Sequence, residues 1–419
     1  METTGGNMTD QATLQKGHIQ SFIDSYAAGF EKHGLEFCER HATGLKQLAS
    51  EALGRNSGRV FILGNGGCHA IARCFRHAFL SRLGGHARRR VVAPVDPDAY
   101  SCSGAIPGPP FAEMLHHEGL NNNDLIVLLS GSGDSENLVR VAKEVTQSGV
   151  RVFALVGCGE SAIGSVLPAG RCLSVELRDQ QLSEDIIQYA SCLLGVGTDS
   201  PTAIEEAFLR QAARLAKLDS EFVFRLSASL AKSFAAADRV RVMGLGHPAL
   251  AACAEHTAHN LNWDAFYEVD REPDVTIIST PSGCDYSGIS NDRRGSFLRH
   301  FAKAYGSIDE STTLVYSLKG DDHRINELGI EASGRSSNAF LVCGEARTKQ
   351  NLLSYCVHST DPFDLASLSQ CTGHIVGRVL RYRLLESQAL GESDLTVNRP
   401  IGEFLIQGDL AQRRLLGKE

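Results

Sequence analysis

Residues 124–149 read DLIVLLSGSGDSENLVRVAKEVTQSG and hold a strand, a polar turn and an amphipathic helix in immediate succession. Residues 125–129 are a short unbroken apolar run, the pattern of a buried parallel strand, and Leu138, Val141, Ala142 and Val145 then recur at helical spacing. Between them Ser130, Gly131, Ser132, Gly133, Asp134 and Ser135 supply three hydroxyls, two glycines and no bulky side chain. Such a turn opens a helix whose first N–H groups lack intrahelical acceptors, at the end where the macrodipole favours an anion. Three hydroxyls converging there suit a phosphate monoester. Ser132, Asp134 or Ser135 would serve equally as a helix cap, so the turn taken alone leaves both roles open.

A second turn of the same kind lies upstream. Residues 59–63 (RVFIL) form an expected strand that runs into Gly64, Asn65, Gly66, Gly67 and Cys68, followed by a helical stretch over residues 69–83. Glycines after a strand let the chain turn tightly and let a ligand approach the backbone. The GNGGC turn at Gly64 and the LLSGSGDSENL turn at Leu128 together resemble the SIS (sugar isomerase) domain family, in particular its phosphoheptose isomerase branch with GNGGS and STSGNS loops. Residues 151–156 (RVFALV) and 172–177 (CLSVEL) read as the next two parallel strands and residues 183–195 as a closing helix, so a first domain is expected over residues 11–200. Residues 11–53 carry apolar positions at helical spacing and read as two helices, with residues 1–10 disordered.

The second half repeats this order. Residues 204–236 are helical in pattern, residues 239–243 (RVRVM) lead into Gly244, Leu245 and Gly246, and a helix follows to residue 261. Strands at 312–316 and 340–343, a serine-loop counterpart at 317–322 and a long helix at 362–387 complete a second domain over residues 201–388. The expected fold class is therefore α/β, with two SIS-type three-layer α/β/α domains around central parallel sheets, arranged as a tandem duplication. Residues 389–419 form a mixed tail.

Composition restricts the function classes. The 419 residues are 42% hydrophobic and 21% charged with a net charge of −8, which speaks against non-specific nucleic-acid binding. The sequence shows no run of 18 apolar residues and no signal-peptide pattern, so a cytoplasmic protein with no membrane partner is expected. Its 12 cysteines include no CxxC pair and read as reduced, mostly buried small hydrophobes.

The resemblance implies an aldose–ketose isomerisation of a phosphorylated sugar through an enediol, with sedoheptulose 7-phosphate the first choice of substrate. Such a reaction needs a phosphate anchor, a base that works near neutral pH, and an acid or metal facing the oxyanion. Carried over residue by residue, the phosphate-binding set is Asn65, Gly66, Ser130, Ser132 and Ser135, with Asp185 and Gln188 on the closing helix. The first domain departs from the pattern at Cys68, Cys74, Ala78 and Val196, where the family has a serine and the His, Glu and final His of the base and metal set. His77, one helical turn from Cys74, is the next histidine in line. In the second domain His256 falls at the metal-binding His, Asp292 in the asparagine-aspartate turn and His374 at the final catalytic His. Asp321 and Asp322 would repel a phosphate from the serine-loop counterpart. The catalytic set implied is His374, His256 and Asp292, one half holding phosphate and the other supplying histidines, with a divalent metal such as zinc as a possible cofactor and its ligands unassigned. A homodimer of the tandem chain is expected. The alternative is a non-catalytic phosphosugar-binding or regulatory protein.

Overall fold

The computed structural model describes residues 5–54, 58–84, 90–94, 110–198, 200–236, 240–263, 277–279, 312–319, 338–345 and 353–389. The chain divides into two compact units, a first over residues 28–212 and a second over residues from 213 onward together with residues up to 27.

The first unit is built on five parallel strands, β1 (Val60–Gly64), β2 (Val91–Val92), β3 (Leu125–Ser130), β4 (Arg151–Val156) and β5 (Cys172–Ser174), in the order β2-β1-β3-β4-β5. The helices are the part of α1 (Gly5–Leu53) from residue 28 on, α2 (Gly67–Leu83), α3 (Phe111–His117), α4 (Glu136–Ser148), α5 (Ala162–Val166) and α6 (Gln180–Val196), with α7 (Pro201–Leu215) leading out of the unit. Both faces of the sheet are covered, which is why its strands read as continuous apolar runs. Phe61, Leu63, Ile126, Leu128, Ala154 and Val156 pack with α3, α4 and α5 in one core. The alternate residues Val60, Ile62, Leu125, Val127, Leu129, Phe153 and Leu155 point to the opposite face and are also buried, as the period of two requires. At the base of the sheet Asp124 accepts from Arg59 N at 2.7 Å and from Arg59 Nη2 at 2.9 Å, which fixes the register of β1 against β3. Burial works against the charge on Asp124, but the hydrogen bonds from Arg59 and Asn121 outweigh it and hold the carboxyl below its ordinary range.

The second unit repeats this plan with β6 (Val240–Leu245), β7 (Ile277–Ser279), β8 (Thr312–Lys319), β9 (Asn338–Glu345) and β10 (Leu353–Cys356), all parallel in the order β10-β9-β8-β6-β7. Its helices are α8 (Ser220–Ala235), α9 (Pro248–Trp263) and α10 (Pro362–Ala389). Numbered within each unit, both sheets have the order 2-1-3-4-5, the doubly wound arrangement whose ligand crevice opens beyond the carboxyl ends of the first and third strands.

Several local expectations change. The N-terminal region is helical from Gly5 to Leu53 but is broken at His41, whose φ −111 and ψ 17 are non-helical, so two helices follow one another as expected; the helix already begins at Gly5, within residues 1–10 that were expected to be disordered. Each added residue gains a hydrogen bond once a turn exists, so a helix extends past the last packed position. Strand β5 stops at Ser174 because Glu176 adopts φ 58, outside strand geometry. Strand β8 runs through Lys319, so Ser317, Leu318 and Lys319 belong to the sheet and not to a loop; Ser317 Oγ donates to Lys319 O at 3.1 Å. Asp321, Asp322 and Asp292 lie outside the described residues. Strands β2, β7 and β10 are too short to carry a sequence period.

Candidate functional site

The crevice of the first unit lies where β1 and β3 separate, and both predicted turns meet there. Gly66 holds φ 51 and ψ −126, a conformation that a side chain resists, and so ends β1 and begins α2 in two residues. Asn65 then reaches across to the first turn of α4: its Nδ2 donates to Asn137 Oδ1 at 2.8 Å, and Asn137 Nδ2 returns a bond to Asn65 Oδ1 at 3.1 Å. This reciprocal amide pair ties the glycine turn to the serine turn.

The serine turn is ordered from within. Ser130, buried at the end of β3, accepts from Gly133 N at 2.9 Å, and Ser132 Oγ accepts from Asp134 N at 3.2 Å. Asp134 accepts from Ala162 N at 2.9 Å and so spends its charge on the α5 segment. Ser135 is the N-cap residue of α4, yet its hydroxyl makes no capping bond and lies 3.5 Å from Ser130 Oγ. Ser132 and Ser135 are half-buried. Two hydroxyls therefore face the helix N-terminus without being used as caps, beside first-turn N–H groups that no intrahelical acceptor meets.

The opposite wall is α6, capped by Asp179 through Leu182 N. A Cβ on Gly131 would lie 2.5 Å from Glu184 Oε1 and 2.7 Å from Gln180 Cγ, so the loop passes close under these two side chains. Glu184 is 6% exposed and accepts from Gln180 Nε2 at 2.9 Å. Sequence reasoning missed it. Its signal is positional, one residue before Asp185 on a helix whose start was placed three residues too late. Cys68, at the family's serine position, is fully buried; burial first and the Glu184 charge second push its thiol well above its ordinary range, against a hydrogen bond from the Gly131 backbone. It remains a protonated thiol.

Asp185 and Gln188 are wholly buried on α6, with Gln188 Nε2 3.9 Å from Cys74 Sγ. The positions where the family has a His and a Glu on α2 are filled by packing. Cys74 and Ala78 are buried, and a Cβ on Gly195 would meet Ala78 Cβ at 2.5 Å, so α2 and α6 approach too closely for an imidazole or carboxylate at Ala78.

In the second unit His256 on α9 and His374 on α10 meet, Nε2 to Nε2, at 3.1 Å, both fully buried. Their rings stand at 74° with centroids 5.0 Å apart, which aligns a proton on one nitrogen with the lone pair of the other. Burial first, then His374 and His259, hold the His256 imidazole well below its ordinary value. Thr257 on the same helix meets Tyr316 Oη at 2.9 Å, and a Cβ on Gly373 would sit 2.6 Å from Thr257 Oγ1, so small residues let the two helices close until the imidazoles touch. Within either unit alone, no three His, Cys, Asp or Glu ligand atoms converge among the described residues.

These features define a class of protein: two doubly wound α/β units of the SIS fold, the first with an intact serine loop. No family model matches the chain. Over 126 residues it is 31% identical to a phosphoheptose isomerase from Cytophaga hutchinsonii, a match that covers 29% of this chain and 63% of that protein's length. Among solved structures it is similar to tagatose-6-phosphate ketose/aldose isomerase from Escherichia coli, with TM-score 0.53 and 14% identity over 89% of this chain and 96% of the other. It is similar also to glucosamine-6-phosphate deaminase from Thermotoga maritima, with TM-score 0.50 and 16% identity over 87% and 99% of the two chains. The chain is thus a double SIS-fold protein that resembles phosphosugar isomerases. No helix among the described residues is long and apolar enough to cross a membrane.

Proposed function

We propose that the chain binds a phosphorylated sugar through the serine loop of its first unit and interconverts the aldose and ketose forms of that sugar, with sedoheptulose 7-phosphate the leading substrate. The observation that carries this reading is the serine turn itself. Ser132 and Ser135 present hydroxyls at the N-terminus of α4 without capping it, at the switch point of the sheet, and Asn65 locks the neighbouring glycine turn alongside. A dianionic phosphate there accepts charge-assisted hydrogen bonds from hydroxyls and helix amides together.

The proton shift between neighbouring carbons calls for a group that accepts and returns a proton near neutral pH. His374 is the first choice, with His256 as its partner. Burial keeps His256 neutral, so one Nε2 of the pair is available as an acceptor, and a proton taken up is shared at 3.1 Å. In the first unit Glu184 is the carboxylate at the serine loop. Zinc remains a proposal for the two imidazoles alone, and no step depends on it. The chain acts as a homodimer in this reading.

One observation favours binding without turnover: both imidazoles are fully buried, and Cys74, Ala78 and Val196 stand where the first unit would need its base and metal ligands. Calorimetry and NMR with sedoheptulose 7-phosphate separate the readings. Turnover that His374→Asn abolishes while affinity persists supports the isomerase. Binding without turnover in the native chain supports the regulatory reading, and absence of binding refutes both.

A further inference from the structure

We propose that Cys343 and Cys356 form a peroxide-responsive dithiol site in the second unit, in which Cys356 is oxidised first and Cys343 closes a reversible disulfide between β9 and β10. This site is separate from the phosphosugar reading and does not rest on it.

The sheet puts the two sulfurs together. Cys356 and Cys343 are direct register partners on neighbouring parallel strands, and partners in register send their side chains to the same face. Neighbouring strands run about 4.7–4.9 Å apart, inside the Cα separation of about 4.4–6.8 Å that a disulfide spans. The register thus places the two residues side by side on one face, within the Cα range that a disulfide spans. Neither cysteine is in a disulfide, and the Cys356 Sγ–H donates to Gly344 O at 3.6 Å.

The two thiols are unequal. Cys343 is buried, and burial together with the neighbouring Cys356 sulfur pushes its thiol up to about 12. Cys356 is half-buried on the edge strand, with His358 Nδ1 a polar neighbour 3.7 Å from its sulfur. His358 is one of two non-glycine residues among those described with positive φ, at 55°, and this left-handed turn is what brings its ring back toward Cys356. Gly344, Glu345, His358 and Ser359, neighbours of the pair in the chain, line a cavity of about 610 Å³ beside it.

The chemistry balances in two steps. The Cys356 thiolate attacks one oxygen of a hydroperoxide, the O–O bond breaks, sulfur is oxidised to a sulfenic acid and the peroxide leaves as water or alcohol. The Cys343 thiol then displaces hydroxide from the sulfenic sulfur, an S–S bond forms, and water carries away the thiol proton. A dithiol reductant reverses the result.

The test treats the full chain with hydrogen peroxide, alkylates the remaining thiols and maps peptides without reduction. The expected result is a linked Cys343–Cys356 peptide, lost on adding dithiothreitol and formed at a lower peroxide dose than any modification of half-buried Cys158. In Cys343→Ala, Cys356 stops at a sulfenic acid that dimedone captures; in Cys356→Ala, Cys343 stays reduced. Phenylarsine oxide, which needs two adjacent thiols, should protect both from alkylation in the unaltered chain, a readout that requires no variant to fold. Full alkylation of both cysteines at doses that oxidise Cys158, or a stable Cys356 dimedone adduct in the unaltered chain with no linked peptide, overturns the proposal.

Discussion

Ser132→Ala removes one hydroxyl from the serine turn and is the cleanest probe of the phosphate reading. Ser132 is half-buried and its only internal bond among those described is the 3.2 Å acceptance from Asp134 N, so its loss disturbs the turn little. A hydrogen bond to a charged group contributes about 1.5–3 kcal/mol. With about 1.4 kcal/mol per decade, the variant should bind a phosphosugar some 10- to 150-fold more weakly. Adding Ser135→Ala should multiply the loss by a similar factor, because that hydroxyl caps nothing. Ser130→Ala is the contrasting case. It also strands the buried Gly133 N–H at 2.9 Å, which costs about 1–3 kcal/mol of fold stability, so affinity and melting temperature should fall together. Calorimetry with sedoheptulose 7-phosphate, beside thermal unfolding of each variant, reads both effects. If the double variant Ser132→Ala, Ser135→Ala kept native affinity, the phosphate would have to sit elsewhere.

Three further outcomes follow from the geometry. Gly131→Ala should lose phosphosugar affinity, since its Cβ would stand 2.5 Å from Glu184 Oε1 and displace the loop; an unchanged titration would remove Glu184 from the site. Gly195→Val should destabilise the first unit by roughly 1–3 kcal/mol through overpacking against Ala78, read as a lower urea midpoint, and an unshifted midpoint would contradict the close α2–α6 approach. For pH, His256 has a folded value below 6.5, so below 6.5 the unfolded chain binds a proton that the folded chain refuses; stability is complete above 6.5 and falls as pH drops below it. The slope from this group reaches about 1.4 kcal/mol per pH unit, and His256→Gln should flatten it; equal slopes in both proteins would show that His256 is not held neutral.

The sequence alone carried the strand-turn-helix units, because continuous apolar strands, glycine turns and amphipathic helices are local signals that a doubly wound fold only has to collect. It placed β1, β3, β4, β5, β6, β8 and β9, both glycine turns and the serine loop, while the roles given to His256 and His374 came from the family resemblance. Three things depended on the tertiary structure. Whether Asn65 and the serines share one crevice is set by strand order, since β1 and β3 are paired, Val60 opposite Leu125, although residues 65–124 lie between them in the chain. Glu184 entered the site because Gly131 passes beneath it, a contact between segments with no shared sequence pattern. The Cys343–Cys356 pairing came from the register of β10, a four-residue edge strand too short to announce itself, on which a shift of one residue would have turned the second sulfur to the other face of the sheet.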